Sequence, residues 1–115
     1  MRTGQSLRGF QVVPGLIVTA HFRLRVAQRI GPEIDADFLA KGIMWAIDTG
    51  REDVVEFVGR VSKCGKRVFR FRLPDRRQFF AMVNTETRVF VTVLVPGHQM
   101  LQQGKNRFLL LEEKT

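Results

Sequence analysis

Three polar residues recur at a spacing of four near the start of the chain: His21, Arg25 and Arg29. Side chains four apart on an α-helix share one face, so these three should be displayed together. A histidine can exchange a proton near neutral pH, and arginines can hold a phosphate and offset its charge. The spacing favours metal-independent RNA cleavage, in which the ribose 2′-hydroxyl attacks the adjacent phosphate. A basic surface helix whose histidine is incidental is the competing interpretation.

Two helices should position this stripe. Thr19 suits the N-cap of the first helix, and Gly31-Pro32 ends it because glycine favours a C-terminal cap and proline cannot continue the hydrogen-bond ladder. This predicts a helix over residues 20–30. A second helix should begin with Pro32 at its first position, carry acidic residues in its first turns, and close at Gly50.

The rest of the chain has the pattern of strands. From Val54 onward the apolar residues alternate, and short turn segments separate four such runs. Short loops force neighbouring strands to pair in antiparallel fashion. The runs cover residues 54–61, 66–73, 77–83 and 88–95. We therefore predict an α+β fold with two N-terminal helices packed on a four-stranded antiparallel meander sheet.

The alternation also assigns side chains to the two faces of this sheet. In the second strand two phenylalanines alternate with Arg70 and Arg72, and in the first strand Phe57 and Arg60 fall on opposite faces. One face should pack on the helices, and the other should offer its arginines to solvent or substrate. Arg70 and Arg72 are thus candidate contributors to the phosphate site, with Thr92 of the last strand as a hydrogen-bonding one.

We predict a single domain over residues 1–115, because this length suits one hydrophobic core. Its core should span residues 19–96. Residues 1–18 should form an extended arm or edge strand, and residues 97–115 a tail or an extra edge element. Phe108 to Leu111 is apolar enough to pair with another copy, so a homodimer through an edge strand or the tail is a further expectation.

The balance of charge predicts a polyanionic partner, with RNA as the first expectation. The net charge is +8, and most of the 19 basic residues are arginines, whose planar fork suits phosphate. The acidic residues cluster on the predicted second helix, which leaves the sheet basic. The predicted nucleic-acid-binding residues are Arg70, Arg72, Arg67, Arg77 and Lys66.

Several other kinds of site lack support in the sequence. It contains no phosphate-binding glycine loop, no dinucleotide fingerprint and no Gly-x-Ser-x-Gly turn. Two histidines and one cysteine leave little for a metal centre, so we expect neither a metal nor a cofactor. No apolar run is long enough to cross a membrane. The single cysteine fits a reducing compartment, and we expect a cytoplasmic protein.

On these residues the chain resembles small domains allied to the barnase/EndoU/colicin/RelE fold. The resemblance covers residues 17–96: two helices before a four-stranded meander, the pattern His-x-x-x-Arg-x-x-x-Arg, and the strand Val91-Thr92-Val93-Leu94. Many members of that fold are metal-independent ribonucleases that serve as toxins in bacterial and phage conflict. The resemblance implies that His21, Arg25, Arg29 and Thr92 line the catalytic site.

Two functions fit these patterns. The first is a toxin-type endoribonuclease, whose partners would include an acidic antitoxin or a host protein target. The alternative is a non-enzymatic basic binding protein, either a nucleic-acid-binding accessory or a phage-type inhibitor of a host machine. The absence of tyrosine and the expected burial of most phenylalanines argue against a protein that stacks single-stranded bases on aromatic side chains.

Overall fold

The computed structural model describes residues 15–61, 65–102, 104 and 107–114. Residues 1–14, most of the predicted arm, lie outside the described residues, as does Cys64. The fold is α+β. Its elements, in chain order, are β1 (Ile17–Val18), α1 (Ala20–Arg29), α2 (Ala36–Thr49), β2 (Val55–Arg60), β3 (Lys66–Arg72), β4 (Gln78–Asn84), β5 (Val89–Leu94), β6 (Gln99–Gln102) and β7 (Arg107–Leu110).

Helix α1 begins where the sequence predicts. The Thr19 hydroxyl accepts a hydrogen bond from the Phe22 N–H at 2.9 Å, which satisfies one of the amides left unpaired by the first turn. Phe22 and Val26, four apart, are buried against the sheet. The same Thr19 hydroxyl donates to the Phe90 carbonyl at 2.9 Å, so the cap also ties α1 to β5.

Helix α2 begins later than predicted. Asp35, not Pro32, lies at the junction, and its carboxylate accepts a hydrogen bond from the Phe38 N–H at 3.1 Å. An aspartate is a strong N-cap, so it sets the start of the helix and leaves Pro32 in the preceding turn. Gly50 closes α2 with φ of 69°, a left-handed conformation that glycine adopts without strain.

The main sheet has five strands in the order β1, β5, β4, β3, β2. Strands β2 to β5 pair in antiparallel fashion with their sequence neighbours, whereas β1 pairs parallel to β5 through Ile17 and Val89. The predicted four-stranded antiparallel sheet is therefore wrong in strand number and direction. The helices are also not the first elements, since β1 precedes them. A strand of two residues carries no alternation that a sequence pattern could reveal.

Both faces of the sheet are covered. On the first face, α1 and α2 pack on apolar residues that include Phe69, Phe71 and Phe90. On the second face, Leu111 is fully buried in a separate cluster with residues such as Phe80. The prediction that this face offers its arginines to solvent is wrong for Arg70, which is half-buried beneath the end of the described chain, whereas Arg72 is exposed.

The predicted tail forms a hairpin and an extended segment, not an extra strand on the main sheet. Strands β6 and β7 pair with each other, with Leu101 opposite Phe108. A side chain at Gly59 would place its Cβ 2.8 Å from Leu109 Cδ2, so the missing side chain of this glycine admits the hairpin to the second face. Residues 111–114 then continue as an extended segment, which we call the strap.

Candidate functional site

The three residues of the predicted catalytic stripe have different surroundings. His21 is exposed. Arg25 is half-buried and donates to the Gln28 side-chain oxygen at 2.7 Å. Arg29 is half-buried, and its Nη1 donates to the Val93 carbonyl. Strand β1 is too short to pair with this part of β5, so the Arg29 guanidinium satisfies a backbone carbonyl that would otherwise lack a strand partner.

Thr92 lies on the other side of the sheet from α1. It pairs with Met82, which belongs to the second-face cluster together with Leu94, two residues further along β5. Only 8% of its surface is exposed. Helix α1 packs on the first face through Phe22 and Val26. The catalytic stripe and Thr92 are therefore separated by the sheet and do not form one site.

Arg70 and Arg72, predicted to contact nucleic acid, hold the strap on the second face. Arg70 donates to the Glu112 carbonyl from Nε at 3.3 Å and from Nη2 at 3.1 Å, while Arg72 donates to the Lys114 carbonyl at 3.2 Å. Arg70 also forms an ion pair with Glu56. Hydrogen bonds from Lys114 and then from Arg70 hold the pKa of Glu56 below its ordinary value. These contacts give both arginines a structural role.

Gln78 fixes the same strap and was not predicted. Its amide nitrogen donates to the Lys114 carbonyl at 2.6 Å, and its amide oxygen accepts from the Lys114 N–H at 2.7 Å. The buried carboxamide thus pairs with both backbone groups of one residue, as a neighbouring strand would. The only sequence signal for this contact was a polar residue at the start of a strand whose next five residues are apolar.

Arg77, a third predicted nucleic-acid contact, stabilises the end of α1. Its Nη1 donates to the Ile30 carbonyl at 3.1 Å, and its Nε pairs with Asp75 at 2.9 Å. A cation at a helix C-terminus complements the partial negative charge of the last carbonyls. The Arg77 backbone N–H, and then its side chain, lower the pKa of Asp75.

A β-bulge in β2 changes which side chains share a face. Phe57 pairs with Phe69, but Gly59 pairs with Val68, so Val58 is an extra residue in the strand. Beyond the bulge the alternation is inverted, and Arg60 lies opposite Arg67 on the same face as Phe57. The prediction that Phe57 and Arg60 occupy opposite faces is therefore wrong.

This inversion creates an open corner on the first face, which we call the β2–β3 corner and define by Phe57, Arg60 and Arg67. The Phe57 ring is 52% exposed and meets Phe69 edge to face, with 5.7 Å between ring centroids. The Arg67 Nη1 donates to the Thr85 hydroxyl at 2.6 Å, which orients the guanidinium. The corner combines an exposed aromatic ring with two arginines.

Most phenylalanines are buried, as predicted, but the exposed ring of Phe57 shows why this burial does not exclude base stacking.

Lys66, the remaining predicted nucleic-acid contact, is half-buried next to the corner and lies opposite Asn84. By alternation with Val68 it points to the second face. Of the five residues predicted to bind nucleic acid, only Arg67 belongs to the open corner.

Two features are absent from the described residues. No group of three or more His, Cys, Asp or Glu side chains there is placed to hold a metal ion. None of the described helices is both long and apolar enough to cross a membrane. No protein-family model, curated protein or solved structure matches the chain.

Proposed function

We propose that this chain is a non-enzymatic binder of single-stranded nucleic acid and that it contacts its ligand at the β2–β3 corner. The observation that carries the proposal is the exposed Phe57 ring on the same sheet face as two arginines. A base stacked on an exposed aromatic side chain contributes about 1–3 kcal/mol, largely regardless of its identity. The planar guanidinium groups suit the phosphates that flank such a base.

The charges at this corner favour an anionic ligand. Like charges directly opposite each other on neighbouring strands destabilise a sheet. Among the ion pairs of the described residues, none involves Arg60 or Arg67. A phosphate placed between the two guanidinium groups would offset their repulsion. The net charge of +8 would increase the rate of encounter with any polyanion.

The non-enzymatic part of the proposal rests on the distribution of the predicted catalytic residues. Metal-independent cleavage requires a base, an acid and positive charge around one phosphate. Thr92 lies on the sheet face opposite α1, and the Arg29 guanidinium is bonded to a backbone carbonyl. This separation favours a binding protein over a toxin-type ribonuclease.

Binding to fluorescent oligonucleotides tests the proposal. A single-stranded RNA of about 12 nucleotides, within the usual site size of such proteins, would be compared with its DNA equivalent and with a duplex. Phe57→Ala should weaken single-strand binding about 5- to 150-fold, the equivalent of the stacking energy, and Phe57→Trp should preserve it. Duplex binding should change little, because paired bases cannot stack on the ring.

The matched control is Phe108→Ala, which removes another exposed phenylalanine, 68% exposed and located on the hairpin. Two results would contradict the assignment of the binding site to the β2–β3 corner. One is an unchanged single-strand affinity in Phe57→Ala, and the other is an equal loss of affinity in Phe108→Ala. The same RNA, recovered after incubation with chelator, should remain intact. Cleavage that disappears in His21→Ala would instead establish the ribonuclease.

A further inference from the structure

One side of the β6–β7 hairpin is apolar and faces away from the sheet. Met100 and Leu109 pack on the second-face cluster, so the alternate residues of both strands point outward. Leu101 pairs with Phe108 on this outward side, and Gln99 pairs with Leu110. We call the three apolar members the hairpin row and define it by Leu101, Phe108 and Leu110.

The hairpin row is exposed and carries no charge. The exposed fractions are 56% for Leu101, 68% for Phe108 and 44% for Leu110. Phe108 has the highest exposure of any large apolar side chain among the described residues. A single exposed apolar residue is ordinary, whereas adjacent ones mark an interaction site.

The Leu101–Phe108 end of the row lies on the basic side of the molecule. A Cβ on Gly59 would be 3.5 Å from Gln102 Nε2, so this end of the hairpin lies next to Gly59 and the exposed Arg60. The charged residues on this side are mostly basic: Arg60, Lys66 and Arg67 outnumber Glu86. An anionic partner is therefore favoured at this end.

Acidic side chains follow the row only at its other end. The sequence contains no acidic residue between Glu86 and Glu112, a stretch that includes both hairpin strands. Glu112 comes two positions after Leu110, and its carbonyl accepts hydrogen bonds from Arg70. Four extended residues, or about 13 Å of chain, lead from Phe108 to Glu112. The Leu101–Phe108 end can therefore meet an anionic surface while the acidic end stays away from it.

A second copy of the chain fits this surface less well. The net charge of +8 makes two copies repel each other. Three partly exposed side chains from each copy would bury roughly 600 Å² in total, below the about 1,000 Å² that a stable interface needs. A lipid bilayer sets no such minimum, because buried apolar area and attraction to anionic lipids both strengthen binding.

We propose that the hairpin row inserts into the interfacial region of a membrane that contains anionic lipids. Phenylalanine and leucine side chains bury at the boundary between head groups and acyl chains, and nearby arginines are attracted to anionic head groups. Among the described residues, each hairpin strand pairs only with the other. The backbone groups on the outer edges therefore need water, so insertion stays shallow.

Cosedimentation of the full chain with lipid vesicles tests the proposal. The protein should bind vesicles of phosphatidylcholine with added phosphatidylserine, and bind pure phosphatidylcholine much less. Phe108→Ala should weaken binding to the anionic vesicles about tenfold, and Leu101→Ala should weaken it several-fold. The matched control is Leu24→Ala, which removes a leucine that is 50% exposed on α1 and should bind as the wild type does.

Phe108→Trp separates insertion from adsorption by charge alone. The wild type has a single tryptophan, Trp45, which lies in α2. A shift of emission to shorter wavelength that occurs in the variant and not in the wild type therefore reports on position 108. Anionic vesicles should produce this shift, and brominated lipids should quench the added emission.

Phe108→Ala should keep its affinity for single-stranded RNA, which shows that the variant is folded and separates this proposal from the one on the β2–β3 corner. Three outcomes would overturn the membrane proposal. The first is equal vesicle binding in Phe108→Ala, Leu101→Ala and Leu24→Ala, since the net charge alone would then explain adsorption. The second is vesicle-bound Phe108→Trp without an emission shift. The third is a dimer on sizing chromatography that Phe108→Ala abolishes, which would assign the hairpin row to a second copy.

Discussion

Arg60 and Arg67 lie directly opposite each other across strands β2 and β3, and Phe57 shares their sheet face. Side chains in such a pair have Cβ atoms only about 5 Å apart, so two guanidinium groups repel each other unless an anion lies between them. On the proposed function, this repulsion should lower the stability of the free protein, and a bound phosphate should relieve it. Stability and binding should therefore respond oppositely to a change at this pair.

Arg60→Thr tests this opposition. Threonine suits a strand and removes the like charge, so the free energy of unfolding should rise by about 0.2–1 kcal/mol, as measured by urea denaturation. Affinity for single-stranded RNA should fall, and the slope of log affinity against log salt should decrease by about one. Arg60→Lys is the control that retains the charge, so it should keep the stability and the salt slope of the wild type. A free energy of unfolding that falls in Arg60→Thr, as the affinity does, would show that the arginine pair does not destabilise the free protein.

Gln78→Ala should destabilise the protein through the strap. The substitution removes two hydrogen bonds and leaves the N–H and C=O groups of Lys114 without this partner, at a cost of about 1–3 kcal/mol. Hydrogen exchange at residues 111–114 should increase more than exchange in α1. Gln99→Ala, at an exposed position of the hairpin, is the matched control. If exchange rises uniformly over the chain, Gln78 does not act through the strap.

Glu56 should make the free energy of unfolding depend on pH in the acid range. Hydrogen bonds from Lys114 and Arg70 hold its pKa below the ordinary 4.5, so the unfolded chain takes up this proton more readily than the folded one. The contribution of Glu56 is therefore present above pH 4.5 and is lost as the pH falls through the lowered pKa. It should be modest, because the side chain is 39% exposed.

The measurement is urea denaturation of the wild type and of Glu56→Gln at neutral pH and at a pH below the lowered pKa. The wild type should be the more stable of the two at neutral pH, and the difference should shrink in acid. Glu113→Gln, at an exposed position of the strap, is the control and should follow the wild type. A difference that stays constant with pH would mean that Glu56 stabilises the fold without its charge.

Local sequence signals predicted the elements well. The cap at Thr19, the closing Gly50 and the four long strands follow from side-chain chemistry and alternation within a few residues. The β2 bulge could not be predicted in this way, because an extra residue in one strand is defined only by pairing with its neighbour. The extra residue, Val58, places Arg60 on the same face as Phe57 and so moves the candidate site to the β2–β3 corner.

The roles of the predicted site residues depended on contacts distant in sequence. Arg70 and Arg72 alternate with apolar residues as solvent-facing arginines would, yet they bind carbonyls about 40 positions later in the chain. A pattern along one strand contains no information about a segment that returns over it. Thr92 was separated from α1 for a related reason, since another bulge, at Val91 in β5, sets which face it occupies.

A substitution at Arg29 tests whether the stripe of His21, Arg25 and Arg29 is structural or catalytic. Arg29→Met keeps much of the aliphatic stem but leaves the buried edge of β5 without a donor to the Val93 carbonyl, so unfolding should become easier by about 1–3 kcal/mol. His21→Ala, exposed on the same helix, should leave stability unchanged. Thermal and urea denaturation would measure both, and the RNA affinity of each folded variant should match the wild type. A selective loss of RNA binding in Arg29→Met at unchanged stability would place the ligand on α1 and not at the β2–β3 corner.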